Sequence, residues 1–180
     1  MKLCQAEIPD VLVIEPTVFG DARGFFYESY NEEKWHELTG LDTRFVQDNH
    51  SKSVKGVLRG IHYQIKQPQG KLVRVVAGEV FDVAVDLRES SPTFGKWVGK
   101  HLSAENKQMM WVPEGFGHGF VALEDCILQY KCTSYYYPPA DTGIQWNDQD
   151  LKINWPVENP VLSKKDSELP SLQSFIDNNI

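Results

Sequence analysis

The run Lys71-Leu72-Val73-Arg74-Val75-Val76-Ala77-Gly78-Glu79-Val80-Phe81-Asp82-Val83-Ala84-Val85-Asp86-Leu87 is the stretch on which the fold turns. It is rich in β-branched residues and divided by one Gly-Glu pair, the pattern of two short strands rather than of a helix. Gly78 suits the first central position of a two-residue hairpin turn. The run therefore predicts an antiparallel pair in which Ala77 faces Val80, Val75 faces Asp82 and Lys71 faces Asp86. Period-2 alternation puts Lys71, Val73 and Val75 on one face with Asp82, Ala84 and Asp86, so Lys71 and Asp82 are expected in one pocket. The opposite face, with Leu72, Val76, Phe81, Val83, Val85 and Leu87, reads as the layer packed between two sheets, interrupted by Arg74.

Outward from this run, most of the chain reads as short strands separated by Gly, Pro, Asn and Asp, the rhythm of a β-sandwich or barrel. Helix is scarce. Asn31 to Leu38 offers an N-cap in Asn31, early acids, apolar Trp35 and Leu38 three apart, and a stop at Gly40. A short terminal helix is expected between Ser167 and Ile180. With no internal repeat, low-complexity tract or linker, the 180 residues are expected to form one domain, 1–180.

The formal charge of −7 argues against a broad nucleic-acid or anionic-membrane surface, so any anion must be bound locally. No segment approaches the roughly 18 uninterrupted apolar residues of a membrane helix, and no signal-peptide pattern opens the chain. A cytoplasmic location is the expectation. Cys4, Cys126 and Cys132 are odd in number and form no CxxC pair, which favours buried thiols over disulfides.

Two constellations carry chemistry. Val57-Leu58-Arg59-Gly60-Ile61-His62-Tyr63-Gln64, followed by Gln69-Gly70-Lys71, sets a histidine, a lysine and an arginine on β-like runs, an outline for proton transfer on an anionic substrate. Trp111-Val112-Pro113-Glu114-Gly115-Phe116-Gly117-His118-Gly119-Phe120 holds three glycines within five residues around His118. Gly56-x5-His62 and Pro113-x-Gly115-x-x-His118 together resemble the two sequence boxes of the cupin superfamily, whose fold is a jelly roll or double-stranded β-helix. Where a metal-binding cupin has His-x-His, this chain has His62-Tyr63-Gln64, and Gln67, Pro68 and Gln69 occupy the region of the glutamate ligand. Two histidines alone make a poor site for a divalent metal, so no metal is expected and His62 is read as an acid-base group.

The resemblance then narrows. Phe19 to Ser29, Phe45 to Ser51, Arg59 to Gln64, Ser91 to Trp97, Gly115 to Phe120 and Gly143 to Asp148 are, in collinear order, similar to the dTDP-4-dehydrorhamnose 3,5-epimerase family. This implies an all-β, cupin-type jelly roll with a few short peripheral helices. It also implies inversion of C3 and C5 of dTDP-4-dehydro-6-deoxy-D-glucose without a metal or redox cofactor. By the same resemblance His62 is the general base and Asp166 its carboxylate partner. Lys71 stabilises the C4 oxyanion with Asp82 orienting it, and Tyr130 is the opposing acid, with Tyr135, Tyr136 and Tyr137 as alternatives. Arg23, Arg59, Gln47, Asp48 and Asn49 match positions holding the nucleotide diphosphate and sugars, and Glu28, Phe19 and Phe26 suit the base. His118 is expected near the diphosphate or sugar. Asp141 and Lys165 complete the substrate contacts, standing where some members have glutamate and arginine. Family members are homodimers that exchange N-terminal strands, so Arg23 and Glu28 are expected to serve the neighbouring subunit. Strict alternation would send Arg59 and His62 to opposite faces, and Gly60 between them suggests a bulge.

Overall fold

The computed structural model describes residues 1–179. Thirteen strands run in chain order: β1 (Lys2–Gln5), β2 (Leu12–Glu15), β3 (Phe19–Asp21), β4 (Gly24–Phe26), β5 (Gln47–Ser53), β6 (Leu58–Gln64), β7 (Lys71–Ala77), β8 (Glu79–Asp86), β9 (Trp97–Ser103), β10 (Met109–Val112), β11 (Phe116–Ala122), β12 (Cys126–Cys132) and β13 (Asp141–Gly143). Three short helices accompany them: α1 (Glu32–Thr39), α2 (Lys164–Ser167) and α3 (Leu172–Asn179). One sheet has the order β1-β2-β10-β7-β12-β5 and a second β13-β6-β11-β8-β9, while β3 and β4 form a separate two-stranded ribbon. All strand pairing within the two large sheets is antiparallel. The all-β jelly-roll class expected from the sequence is the one found.

The hairpin at Gly78-Glu79 does not form. β7 pairs with β10 and β12, and β8 pairs with β11 and β9, so Gly78 carries the chain from one sheet to the other. Its φ of +71° and the approach of the Asp125 carbonyl, 2.3 Å from where a Cβ would sit, are why glycine is needed at this crossing. A Gly-X pair between two β-rich runs marks a reversal, and which neighbours each run pairs with is decided elsewhere. The predicted opposition of Val75 with Asp82 and of Lys71 with Asp86 goes with the hairpin.

The face assignment is corrected as well. Val73 and Val75 pack against Val80, Ala84, Val98, Phe116, Phe120 and Leu128 in the space between the sheets, so the face shared with Lys71 and Asp82 points inward. The face assigned to inter-sheet packing lies outside: Val83, Val85 and Leu87 are covered by Ile144, Leu151, Trp155, Leu172 and Phe175 of the C-terminal segment. Leu72 joins Trp35 and Trp111 beneath α1. Both faces of the central strands are buried, and so alternation alone could not say which faced the other sheet.

The helix expectation was sound: Asn31 caps α1 by accepting from the Lys34 N–H, and Gly40 ends it in a left-handed conformation. α3 occupies the tail within the expected interval, although that interval's last residue, Ile180, lies outside the described residues. All three thiols are free, with Cys126 and Cys132 buried. Among the described residues no helix is long and apolar enough to cross a membrane.

Asp86, fully buried at the end of β8, accepts from the Arg88 N–H and guanidinium, from Ser91 Oγ and from Thr93 Oγ1. Burial pushes its carboxyl up, but these donors outweigh that and hold it down at about 2. A depressed folded value contributes stability that is present above the unfolded pKa and lost as pH falls through the folded one. The span from 3.8 to about 2 corresponds to roughly 2 kcal/mol. Urea midpoints should accordingly fall between pH 4 and 2, and Asp86→Asn should flatten that dependence while lowering stability at pH 7.

Candidate active site

Each of the two large sheets lends polar side chains to one cavity. On β6, Arg59 and His62 share a face although they are three residues apart. Paired with β11, His62 lies opposite His118 but Arg59 opposite Phe120, so one extra residue on β6 is accommodated at Gly60, as the sequence suggested. A Cβ there would meet the His118 carbonyl at 2.5 Å. The bulge also lets Leu58 and Ile61 both enter the outer core.

His62 Nε2 lies 2.5 Å from Asp166 Oδ1 across 104 residues of sequence. Ser163 builds the other half of this contact. It caps α2 by accepting from the Asp166 N–H, and its hydroxyl donates to Asp166 Oδ2 at 2.7 Å. Burial pushes the Asp166 carboxyl up, yet the bonds from His62 and Ser163 more than offset it and leave it below the usual carboxylate range. An ionised carboxylate only accepts, so Nε2 carries the proton, and in the neutral imidazole Nδ1 keeps its lone pair.

The opposing sheet supplies Lys71 and Tyr130. Lys71 Nζ stands 6.0 Å from the centroid of the Tyr130 ring. Burial lowers the Lys71 pKa from the ordinary lysine value, partly countered by Cys132, Asp141 and Asp82. Burial raises the Tyr130 phenol to about 12, so it keeps its proton through the neutral range. His62, Gln64, Gln69, Lys71, Tyr130, Tyr136 and Asp141 line one cavity of about 90 Å³. The imidazole and the phenol thus enter a common space from different sheets. A larger groove of about 460 Å³ on the outer face of the six-stranded sheet, with Tyr30, Asp48, His50, Arg74 and Lys131, contains neither His62 nor Lys71.

Several side chains stand differently from expectation. Asp82, assigned to orient Lys71, instead bonds His118 Nε2 through both oxygens at 3.0 and 3.1 Å and acts on Lys71 through its charge alone. Lys71 and Asp82 both lie on inward faces, but Asp82 does not line the cavity that Lys71 enters. His118 is 6% exposed and sits behind the cavity wall, not against its space. The exposed Arg59 bridges to β5 through Ser53 Oγ and the Lys52 carbonyl. Asp48 points outward and pairs with Lys131, whereas Gln47 and Asn49 bond each other and Asn49 reaches Cys132. Asp141 accepts from Lys165 Nζ and from the Tyr136 hydroxyl. Phe19, Arg23, Phe26 and Glu28 do not join the His62 cavity. Arg23 is paired with Asp21 and Glu28 with Lys34, and the ribbon holds Phe19, Phe25 and Phe26 more than 60% exposed.

Among the described residues no three His, Cys, Asp or Glu side chains gather as a metal would require. Sequence reasoning passed over Ser163, although Ser163-x-x-Asp166 is a capping pattern that signalled it. It also treated Gln64 only as an absent ligand.

The model of the dTDP-4-dehydrorhamnose 3,5-epimerase family matches residues 5–174. The chain belongs to this family. An epimerase of that name from Shigella flexneri is 58% identical, over 98% of this chain and 97% of its own length. One from Pseudomonas aeruginosa is also 58% identical, over 93% and 94%. The crystal structure of the Legionella pneumophila dTDP-6-deoxy-D-glucose-3,5-epimerase, in complex with dTDP-4-keto-L-rhamnose, superposes with a TM-score of 0.93 at 52% identity, covering 96% of this chain and 93% of that one.

The His62–Asp166 geometry has a direct spectroscopic consequence. ¹⁵N NMR at pH 8 should show His62 as the Nε2–H tautomer, and Asp166→Asn should shift that population. A predominant Nδ1–H form in the unmodified protein would contradict the arrangement.

Proposed function

We propose that this chain is a dTDP-4-dehydrorhamnose 3,5-epimerase that converts dTDP-4-dehydro-6-deoxy-D-glucose into dTDP-4-dehydro-L-rhamnose in the cytoplasm. The observation that carries the reading is the placement of His62 and Tyr130 on different sheets around one cavity, with Lys71 beside them. C3 and C5 both lie α to the C4 ketone, so one carbonyl acidifies both protons. Inversion at each needs a base on one side, an acid on the other and a cation at the enolate oxygen.

In this mechanism His62 Nδ1 removes the carbon-bound proton, and Asp166 stabilises the imidazolium that forms. Lys71 balances the negative charge that develops on the C4 oxygen. Because burial disfavours its ammonium form, an anionic partner is what restores it. Tyr130 returns a proton from the opposite side, its high pKa keeping the phenol loaded. Asp82 and His118 hold one another behind this wall. Arg59, Gln47, Asn49, Lys165 and Asp141 are the groups assigned to the diphosphate and sugars, guanidinium and ammonium groups meeting phosphate oxygens. The scheme uses no metal or redox cofactor.

Phe19, Arg23, Phe26 and Glu28 enter the scheme through a second copy of the chain. The β3–β4 ribbon carries its aromatics to solvent, and large exposed apolar residues so grouped mark an interaction site. In a homodimer that exchanges this ribbon, the four residues complete the neighbour's site.

Turnover in deuterated water, followed by NMR, should place label at both C3 and C5. Label at one carbon would establish a single-site epimerase, and label at neither would overturn the function. His62→Ala should abolish exchange at both positions, and activity should persist in a metal chelator. For the ribbon, dimers formed from His62→Ala and Arg23→Ala chains should regain activity that neither variant has alone, since one of the two sites then receives both native residues. No recovery on mixing would remove the exchange.

A further inference from the structure

Tyr136 lines the His62 cavity from a stretch that belongs to no strand, yet the backbone around it is held by two glutamine side chains. Gln64 is the first of them. Its Oε1 accepts from the Tyr137 N–H at 2.9 Å, and its Nε2 donates to the Tyr135 carbonyl at 3.1 Å and to the Gln67 carbonyl at 2.5 Å. The carboxamide grips the chain immediately before and after Tyr136, as the backbone of a neighbouring strand would. Gln47 Oε1 takes the remaining amide, Tyr136 N–H, at 2.9 Å. The Tyr136 hydroxyl, so placed, donates to Asp141 Oδ2 at 2.7 Å, and Asp141 is the cross-strand partner of Gln64 itself. Gln64 is only 6% exposed, and it spends three of its four hydrogen-bonding positions on loops that wall the cavity. Both side-chain N–H groups are required, because both Nε2 partners are carbonyls.

We propose that Gln64 is a positioning residue that sets substrate affinity by fixing Tyr136, and through it Asp141, at the cavity wall, while taking no part in proton transfer. The inference rests on the epimerase reading above. Gln64→Glu is nearly isosteric but, when ionised, sets acceptor oxygens against the two carbonyls and loses both donors. The buried contacts then become repulsive, and the Tyr135–Tyr137 stretch is released.

The test is steady-state epimerisation with dTDP-4-dehydro-6-deoxyglucose, following deuterium uptake. Gln64→Glu should raise KM roughly tenfold or more and leave kcat within about threefold of the unsubstituted enzyme, the signature of lost binding rather than lost chemistry. The ratio of its KM to that of the unsubstituted enzyme should shrink as pH falls from 8 to 5.5, because a protonated Glu carboxyl regains one donor. A purely structural role would lower Tm and active fraction without this pH-dependent ratio. An unchanged KM, or equal losses in kcat and kcat/KM, would overturn the proposal. Should Gln64→Glu not fold, Tyr136→Ala, which leaves the backbone contacts of Gln64 in place, must show the same rise in KM, and a KM unaltered there overturns it equally. Inactivity of the unsubstituted protein would instead sink the epimerase reading itself.

Discussion

The contact between His62 Nε2 and Asp166 Oδ1 depends on the segment after β13 being laid against the outside of the five-stranded sheet. That segment is fastened by burial and by backbone bonds together. Ile144, Leu151, Trp155 and Phe175 pack on Leu58, Ile61, Val83 and Val85. Leu58 N–H donates to the Val161 carbonyl and Val161 N–H to the Gly56 carbonyl. Asp148 accepts from the backbone N–H groups of Asp150, Leu151 and Leu172, which turns the chain back toward α3. Removing a side chain such as Ile61 from this layer would cost about 2–5 kcal/mol, and the cost would be felt in the dyad because that packing helps to hold its two halves together.

Inside the sandwich a different constraint operates. An interior between two sheets is a low-dielectric place, and every polar group in it must find a partner. Asp82 and His118 satisfy one another. Lys71 meets the Tyr130 ring at 6.0 Å and the more distant charges of Asp82, Asp141 and the Cys132 thiol. Its ammonium group is one that a developing oxyanion would complement. Tyr130 is the counterpart: burial makes ionisation harder and so preserves a donor.

Much of this site was legible beforehand. His62, Lys71 and Tyr130 were identified from motif likeness, and α1 from its caps and spacing. The bulge at Gly60 followed from a conflict between alternation and the need for two residues on one face. Other features were hidden. The reversal at Gly78 was visible, but not that it joins two sheets, because strand pairing depends on residues far away in sequence. Asp82 was put on the inward face with Lys71 through a hairpin that does not exist, as parity along each strand survives an error in pairing, but it bonds His118 and does not line the cavity. Gln64 carried no motif of its own, since a glutamine is informative only when the carbonyls around it are known.

The sequence by itself determined the strand-rich class, which residues of a regular strand share a face, and the residue types able to move a proton. Local sterics, alternation and side-chain chemistry are properties of the chain wherever it goes. Only the tertiary structure brought Asp166 to His62 across 104 residues, a pairing that family likeness alone had suggested, and only it decided that Asp82 serves His118 and that Tyr136 is braced by two glutamines. Those contacts form when separate strands and the C-terminal segment bury their apolar faces against the same sheets, and no spacing along the chain records that choice.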